Sequence, residues 1–337
     1  MLALFGALFA ALFATLGLSG IAEGQRIAGP TRIDVSASQI TSFEPRNPSL
    51  TRFGALEFRG GLVLESKAKT FGGFSSLHIE PDGAHFISAS DRGTWLRGRI
   101  VYRDGRPDGI AEAETAPILG PDGKSIASRD WFDSESLTHR DGTLYVGIER
   151  VEKILRFDYR RDGLFARGEP VPVPPDFKTL RNNQSLECLA ALPKGSPLDN
   201  QLIVVTEESL DAAGNLRSFL LNGTDVERFT VKRHDDFDIS DCVVMPPNDL
   251  LLLERRFALF RGGLAMRIRR VPLASIKPHA VVDGKNLIEA DLGYEIDNME
   301  GIGLHRNANG ETILTLISDD NFLPFQRTLL LQFALVE

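Results

Sequence analysis

Acidic residues recur at one position of a repeated sequence unit, and they are the residues of this chain best suited to chemistry. Each unit has a short apolar strand with a small or acidic residue near its start, a turn, and a second apolar strand that ends in a polar or acidic pair. The first-strand positions are Ser75, Glu135, Glu187, Asp241 and Glu300. The second-strand acids are Asp91, Glu149, Glu207, Glu254 and Asp319. Grouped carboxylates can activate water, transfer protons or bind a hard cation, so the pattern predicts a reaction or metal centre if the fold brings the units together.

The spacing of these acids indicates which elements must position them. Positions 75, 135, 187, 241 and 300 are separated by 60, 52, 54 and 59 residues. Each unit holds about four strand candidates and no convincing amphipathic helix. A four-stranded unit that recurs at this period is typical of a β-propeller blade. The sequence therefore predicts an all-β fold, a β-propeller with five visible repeat units and five or six blades.

The segment before the repeats, residues 23–70, carries two or three further strand candidates between Arg32 and Ser66. Its simplest role is closure, in which an N-terminal strand completes the last blade and removes an exposed sheet edge. The alternative is that it forms most of a sixth, degenerate blade. Residues 71–337 are assigned to the propeller repeats.

The register of each hairpin can be worked out from the turn between its two strands, because opposed residues in an antiparallel pair have a constant sum of positions. The predicted pairs are Glu135 with Ile148 or Glu149, Asp241 with Glu254, Ser75 with Ser90 or Asp91, and Glu300 with Ser318 or Asp319. Each blade then carries two polar positions at one end of its inner hairpin. Around a ring, those ends meet near the axis.

Carboxylates gathered so closely cannot all stay ionised without compensation, which can be a bound cation, nearby arginines or shared protons. One candidate is calcium, a hard cation that binds carboxylate oxygens. Its predicted ligands are Glu135, Glu187, Asp241, Glu300 and Asp319. A second candidate is arginine, since Arg92, Arg150 and Arg255 each directly follow an acid and could also clamp a phosphate. A purely structural network of salt bridges is left open as the alternative.

Cys188 and Cys242 are the only cysteines, and each directly follows the inner acid of its unit. Equivalent positions of neighbouring inner strands approach each other near a propeller axis. The two thiols are therefore predicted to form a disulfide, and two buried free thiols are the alternative.

The N-terminal 22 residues have the pattern of a secretory signal peptide. The stretch 2–18 is apolar and uncharged, and Gly20 and Ala22 supply small residues for cleavage after position 22. No Lys or Arg precedes the apolar stretch, so an uncleaved N-terminal anchor is the alternative. We expect an exported protein, periplasmic or extracellular, without a membrane span after cleavage.

The net charge of −8 argues against nucleic acid or an anionic membrane as partner, because both favour a basic surface. The segment Gly123-Lys124-Ser125 is not a phosphate-binding loop, because Ile118 stands where that motif needs its first glycine. The six histidines show no ligand spacing and are interpreted as strand or loop residues; they are His78, His85, His139, His234, His279 and His305. The oligomeric state is left open.

Four segments resemble the phytase-like family, which is described by an "esterase-like activity of phytase". They are Phe71–Leu77, Ser90–Gly93, Asp297–Ile302 and Ser318–Phe322. The resemblance covers roughly residues 70–335 and implies a bacterial cell-envelope propeller. It favours a hydrolase of small phosphate or carboxylic esters, and it maps no catalytic residue onto these positions. A non-enzymatic binding or scaffold propeller is the alternative.

Overall fold

The computed structural model describes residues 29–181, 184–258 and 263–336. In these ranges the strands form five small sheets, each of four to six strands, arranged as the blades of a propeller. The predicted all-β propeller is confirmed, and the number of blades is five. The predicted signal peptide, residues 1–22, lies outside the described residues. No helix in the described part of the chain has both the length and the apolar character needed to cross a membrane.

The strands follow one another around the ring in chain order. Those before the repeats are β1 (Thr31–Arg32), β2 (Ser36–Ile40), β3 (Arg52–Phe53) and β4 (Leu56–Glu65). Blade 1 contains β5 (His78–Ile79), β6 (His85–Ser90), β7 (Thr94–Arg103) and β8 (Arg106–Pro117). Blade 2 contains β9 (Ser134–Arg140), β10 (Thr143–Ile148), β11 (Lys153–Asp158) and β12 (Glu169–Val171). Blade 3 contains β13 (Cys188–Ala191), β14 (Leu202–Leu210), β15 (Leu216–Asn222) and β16 (Asp225–Val231).

The last two blades differ in where their outer strands come from. Blade 4 contains β17 (Asp238–Met245), β18 (Asp249–Ala258), β19 (Gly263–Pro272) and β21 (Lys285–Asp291), while β20 (Val281–Val282) pairs with β16 at the edge of blade 3. Blade 5 contains β22 (Asn298–Arg306), β23 (Thr312–Asp319) and β24 (Thr328–Leu335), followed by β4 and β2. The helices are short: α1 (Tyr159–Asp162) and 3-10 turns at Ile126–Arg129, Glu149–Val151, Gly163–Phe165, Pro175–Thr179 and Leu273–Ser275.

The N-terminal segment closes the ring, as predicted. Strand β4 pairs antiparallel with β24, and β2 pairs with β4 on the outer side. Strand β1 pairs with β8 at the outer edge of blade 1. Chain segments from both ends of the sequence therefore share blade 5, and the segment between Arg32 and Ser66 is not a sixth blade. This arrangement covers the edge that β24 would otherwise expose.

The five inner strands β5, β9, β13, β17 and β22 contact one another in sequence and surround the axis. The seam between blades 5 and 1 depends on glycine, because β22 approaches blade 1 too closely for a side chain. A Cβ at Gly301 would lie 2.9 Å from the carbonyl carbon of Ser76, and one at Gly303 would lie 2.8 Å from Cγ1 of Ile79. Between other blades apolar faces meet, for example Leu251 of blade 4 in the same core as Leu314 of blade 5.

The predicted disulfide is confirmed. It joins Cys188 at the start of β13 to Cys242 in β17, with the two Cα atoms 5.1 Å apart and both side chains buried. The bridge links inner strands of adjacent blades across a sequence separation of 54 residues. It therefore ties blades 3 and 4 together close to the axis.

Candidate functional site

Acids from three blades surround the guanidinium of Arg255, which lies on β18 of blade 4. Its Nη2 is 3.0 Å from Oε1 of Glu207, and its Nη1 is 3.1 Å from Oε1 of Glu300. Nη1 also donates to Oδ1 of Asn298 at 3.0 Å. Burial opposes the charge of Arg255, but Glu300, Glu207, Glu187 and Glu135 raise its pKa. We call the four glutamates Glu135, Glu187, Glu207 and Glu300, with Arg255, the axial acid cluster.

Three glutamates of this cluster, Glu135, Glu187 and Glu207, have raised pKa values. Burial is the first cause of the raised pKa of Glu135, and Glu300 and Glu149 add to it, while the Ser75 hydroxyl opposes the rise. Burial also raises the pKa of Glu187 well above its usual range, with contributions from Glu207 and Glu135. Burial raises the pKa of Glu207 to about 7 even though Arg255 opposes the shift. A single guanidinium thus faces several carboxyl groups, and part of the compensation is retained protons.

The acids at the ends of the second strands extend this zone. Burial raises the pKa of Asp319 to about 9, and Glu300 contributes to that shift. Burial likewise raises the pKa of Glu149 to about 8 and that of Asp91 to about 6. Asp319, Glu149 and Asp91 therefore lie in the same electrostatic environment as the axial acid cluster.

Two of the predicted acids are used to tie blades together. Oδ2 of Asp241 accepts the backbone N–H of Ile302 in blade 5 at 2.8 Å, and its Oδ1 accepts the N–H of Cys242 at 2.7 Å. Oε1 of Glu149 accepts the backbone N–H groups of Ser185 and Leu186 beside blade 3, the latter at 2.8 Å. Oxygen atoms that bind inter-blade amides in this way are less available to a cation.

β-Bulges at the starts of the inner strands change the predicted registers. In blade 4 the extra residue is Ser240, so Asp241 pairs with Leu253 and Glu254 pairs with Ile239. The predicted pairing of Asp241 with Glu254 is therefore wrong by one position, and the side chain of Glu254 lies away from the axial acid cluster.

Glu254 is fully buried in an ion-pair network of blade 4. Its carboxylate binds Arg267 at 2.7 Å and Arg269 at 2.5 Å. Both arginines lie on β19, the strand that pairs with β18 on its outer side. The second-strand acid of blade 4 is thus a structural partner of β19.

In blades 2 and 5 the bulged residue is the acid itself. Glu135 lies between Ser134, which pairs with Ile148, and Ser136, which pairs with Gly147. Glu300 lies between Met299, opposite Ser318, and Gly301, opposite Ile317. A bulge leaves its extra residue unpaired and re-aims its side chain, which is a common device near functional sites.

The three candidate arginines occupy different environments. Arg255 is the centre of the axial acid cluster. Arg150 has a half-exposed side chain that donates to Asp133. The guanidinium of Arg92 stacks on Phe322, 3.2 Å from the ring centre. The sequence alone gave the three the same rank, whereas the structure places Arg255 directly against the acids.

The axial carboxylates do not form a ready-made metal cage. Within the described ranges, the one group of three metal-ligating side chains whose ligand atoms all lie within 4.8 Å of one another is His78, Glu80 and His139. His78 and His139 lie on strands β5 and β9, as interpreted, and the fold brings them together although their spacing in the sequence shows no ligand pattern. The signal was the pair His78-x-Glu80, because residues two apart on a strand point to the same side.

The opposite end of the axial channel contains a cavity of about 460 Å³. All five blades line it through the later parts of their inner segments, including Leu77, Leu137, Ala191, Val243 and Leu304. His78 and His139 also line this cavity. The inner strands thus connect an acidic end, where they begin, to a largely apolar end that bears histidines.

Comparison with known proteins gives one family and several solved structures of low sequence identity. A phytase-like family model, described as "Esterase-like activity of phytase", matches residues 69–322. No curated protein sequence matches the chain. Solved structures similar to the chain include a PQQ-bound aldose sugar dehydrogenase from Streptomyces coelicolor, at 13% identity and a TM-score of 0.38, over 91% of this chain and 99% of that one. The WD40 repeats of RRP9 are similar at 9% identity and a TM-score of 0.38, over 84% of this chain and 99% of theirs.

The propeller assignment rests on the five sheets and not on those distant likenesses. The family match covers most of the chain, and it includes the segments Phe71–Leu77 and Asp297–Ile302, which flank the seam between blades 5 and 1. The chain therefore belongs to the phytase-like family.

Proposed function

We propose that this chain hydrolyses esters at the axial acid cluster. The observation that carries the proposal is the coexistence of carboxyl groups with strongly raised pKa values and a carboxylate bound to Arg255. Titratable groups with opposed environments in one site are the usual source of a general acid and a general base. The family description, an esterase-like activity, supports the same class of reaction.

On this proposal Glu300 is the general base and Glu135 is the general acid. Arg255 and the amide of Asn298 both contact Oε1 of Glu300, which leaves Oε2 to accept a proton from an attacking water. Glu135 is partly exposed and its raised pKa favours the protonated form, so it acts as the general acid for the leaving oxygen. Glu187 and Glu207 hold Arg255 in place and maintain the charge of the site.

The charge of the site favours a neutral substrate. Glu207 and Glu300 already occupy the two sides of Arg255, so an anionic phosphate would have to displace one of them and would be repelled by the other acids. A carboxylic ester carries no such charge. We therefore place small carboxylic esters before phosphate esters as substrates, in a protein that acts after export.

Calcium at the same acids is a separate proposal. The carboxylates as placed do not converge on one point within the described residues, and Arg255 supplies the nearest positive charge. Binding of calcium would therefore require side chains to move. The double variant Glu187→Gln, Glu300→Gln should then lower the melting temperature when calcium is present and much less in chelator. Equal losses in both conditions would leave Arg255 and retained protons as the whole compensation.

A specific observation also favours the second candidate function, a binding or scaffold propeller without turnover. Asp241 and Glu149 use their oxygens to hold neighbouring blades through backbone amides, so part of the acidic repeat is structural. On this proposal the axial acid cluster also holds neighbouring blades together, and it catalyses no reaction.

An ester panel separates the two functions. Purified wild-type protein is assayed against nitrophenyl carboxylic esters and nitrophenyl phosphate, each with added calcium and with chelator. Carboxylic ester hydrolysis that survives chelation supports the acid–base site without a metal. Phosphate hydrolysis that requires calcium supports the calcium proposal, and no turnover on any substrate supports the scaffold.

A further inference from the structure

The structure carries a second candidate site at the other end of the axial channel, formed by His78, Glu80 and His139. His78 and Glu80 come from the inner segment of blade 1, and His139 comes from β9 of blade 2. The histidine rings are close, with centroids 4.6 Å apart, and Nε2 of His78 lies 3.8 Å from Oε2 of Glu80. We propose that these three side chains bind a zinc-type divalent metal ion.

The donor set is the first argument. Two imidazoles and one carboxylate are ligands that zinc and related transition metals prefer, whereas calcium favours an all-oxygen site. A tetrahedral zinc ion with bonds of about 2.0–2.1 Å separates its ligand atoms by about 3.4 Å. The three ligand atoms lie within 4.8 Å of one another, so small side-chain rotations are enough to reach that geometry.

The second argument is a buried polar atom that makes no hydrogen bond. Nε2 of His78 is buried, and Oε2 of Glu80 beside it is 3.8 Å away, too far for a hydrogen bond. A buried polar atom without a partner costs free energy, and a metal ion would satisfy it. Glu80 supplies a carboxylate beside it, with Oε2 3.8 Å from that nitrogen.

His139 is the ligand that must give up an interaction. The backbone N–H of Gly142 donates to its Nε2 at 3.0 Å, which places the proton of the neutral ring on Nδ1. A metal bound through either nitrogen displaces that proton or that hydrogen bond. Metal binding at this site therefore replaces either the ring proton of His139 or its hydrogen bond from Gly142.

The cavity of about 460 Å³ gives the metal an open position. Three protein ligands leave a fourth position of a tetrahedral ion, and His78 and His139 line this cavity beside Leu77, Leu137 and Leu304. Catalytic zinc sites share this pattern of three protein ligands and one exchangeable ligand, whereas structural zinc sites are closed. The open position would accept a small donor ligand with an apolar body.

Metal titration tests this proposal independently of the axial acid cluster. The purified chain is freed of metal with chelator and titrated with Zn²⁺ in competition with a chromophoric chelator. We expect one equivalent to bind, and the variants His78→Gln, His139→Gln and Glu80→Gln each to lower the affinity at least about tenfold. Two matched variants should bind as wild type: His279→Asn, which changes an exposed histidine, and Glu187→Gln at the acidic end.

Two further measurements accompany the titration: a check of the fold of each variant and a test of the open position. Circular dichroism must show that each variant keeps the wild-type fold, and Glu80→Gln is the mildest change because that side chain is 31% exposed. Co²⁺ bound to the unmodified chain should give visible absorption of a four-coordinate ion, and acetohydroxamate should shift it by entering the open position. Absence of stoichiometric Zn²⁺ binding, or affinity unchanged in the folded His78 and His139 variants, would overturn the site. A Co²⁺ spectrum unaffected by acetohydroxamate would overturn the open position.

Discussion

Replacement of Arg255 by methionine should destabilise the protein strongly at pH 8 and weakly at pH 5. The substitution removes the guanidinium that contacts Glu207, Glu300 and Asn298, and it keeps most of the side-chain volume. Breaking a buried ion pair costs about 3–5 kcal/mol. Because the side chain of Arg255 is 29% exposed, solvent screening reduces the expected loss to about 2–4 kcal/mol.

The pH dependence of this loss follows from the protonation of the partners. Glu207 has a pKa of about 7, so it is largely ionised at pH 8 and largely protonated at pH 5. At pH 5 the substitution leaves fewer unpaired charges, and we expect a loss below about 1 kcal/mol. Urea unfolding of wild type and variant at both pH values measures the difference.

Two control variants accompany this prediction. Arg228→Met removes a half-exposed ion pair with Asp176 and should cost less than about 1 kcal/mol at either pH. The double variant Arg255→Met, Glu300→Gln should recover part of the loss at pH 8, because one unpaired charge is removed. The same loss for Arg255→Met at pH 5 and pH 8 would refute the account of the axial acid cluster as a charge network.

Three further predictions concern the disulfide, the protonated acids and the closing seam. The double variant Cys188→Ser, Cys242→Ser should lose about 4 kcal/mol of unfolding free energy for a loop of 54 residues, and two free thiols in the denatured, unreduced wild type would contradict the bridge. Because the pKa of Asp319 is about 9 in the folded state, the folded protein keeps a proton that the unfolded chain releases above pH of about 4. The unfolding free energy should therefore fall as pH rises from 5 to 8, by up to about 1.4 kcal/mol per unit for each such acid, and urea titrations showing a flat or rising profile would contradict the retained protons. Gly303→Ala should cost about 1–3 kcal/mol, since its Cβ would lie 2.8 Å from Cγ1 of Ile79, and an unchanged melting temperature would show that the seam is looser than described.

The sequence was sufficient to predict the fold because each repeated sequence unit corresponds to one blade. Apolar strands and turn residues recur with a period that few architectures share, and the acids mark equivalent positions in successive units. The same equivalence placed Cys188 beside Cys242, since neighbouring inner strands present the same position to each other. These are regular features that a periodic pattern can specify.

The details of the site could not be predicted in the same way, because they depend on local irregularities. A bulge at Ser240 shifts the register by one residue, which turns Glu254 toward Arg269 and leaves Arg255 facing the axis. The alternation of a regular hairpin cannot show where such an extra residue is inserted. The sequence therefore predicted an acidic zone, but not which of the three candidate arginines supplies its positive charge.

The histidine group illustrates a different limit. His78 and Glu80 are close in sequence, but His139 lies on the next blade, and their meeting depends on how the inner strands pack. A search for histidines at fixed spacing misses a site that two blades build together. The strand pair His78-x-Glu80 was the part of the signal that the sequence contained.

The hydrolysis rate of Glu135→Gln tests the central claim most directly. The substitution keeps the size of the side chain but removes the proton that Glu135 is proposed to donate. We measure kcat and KM for the best carboxylic ester of the panel, beside Glu227→Gln, which changes an exposed glutamate on β16. The account predicts that Glu135→Gln lowers kcat by a factor of about 10²–10⁴ with the fold intact, whereas Glu227→Gln behaves as wild type. Wild-type kcat in a folded Glu135→Gln variant would contradict a reaction centre at the axial acid cluster.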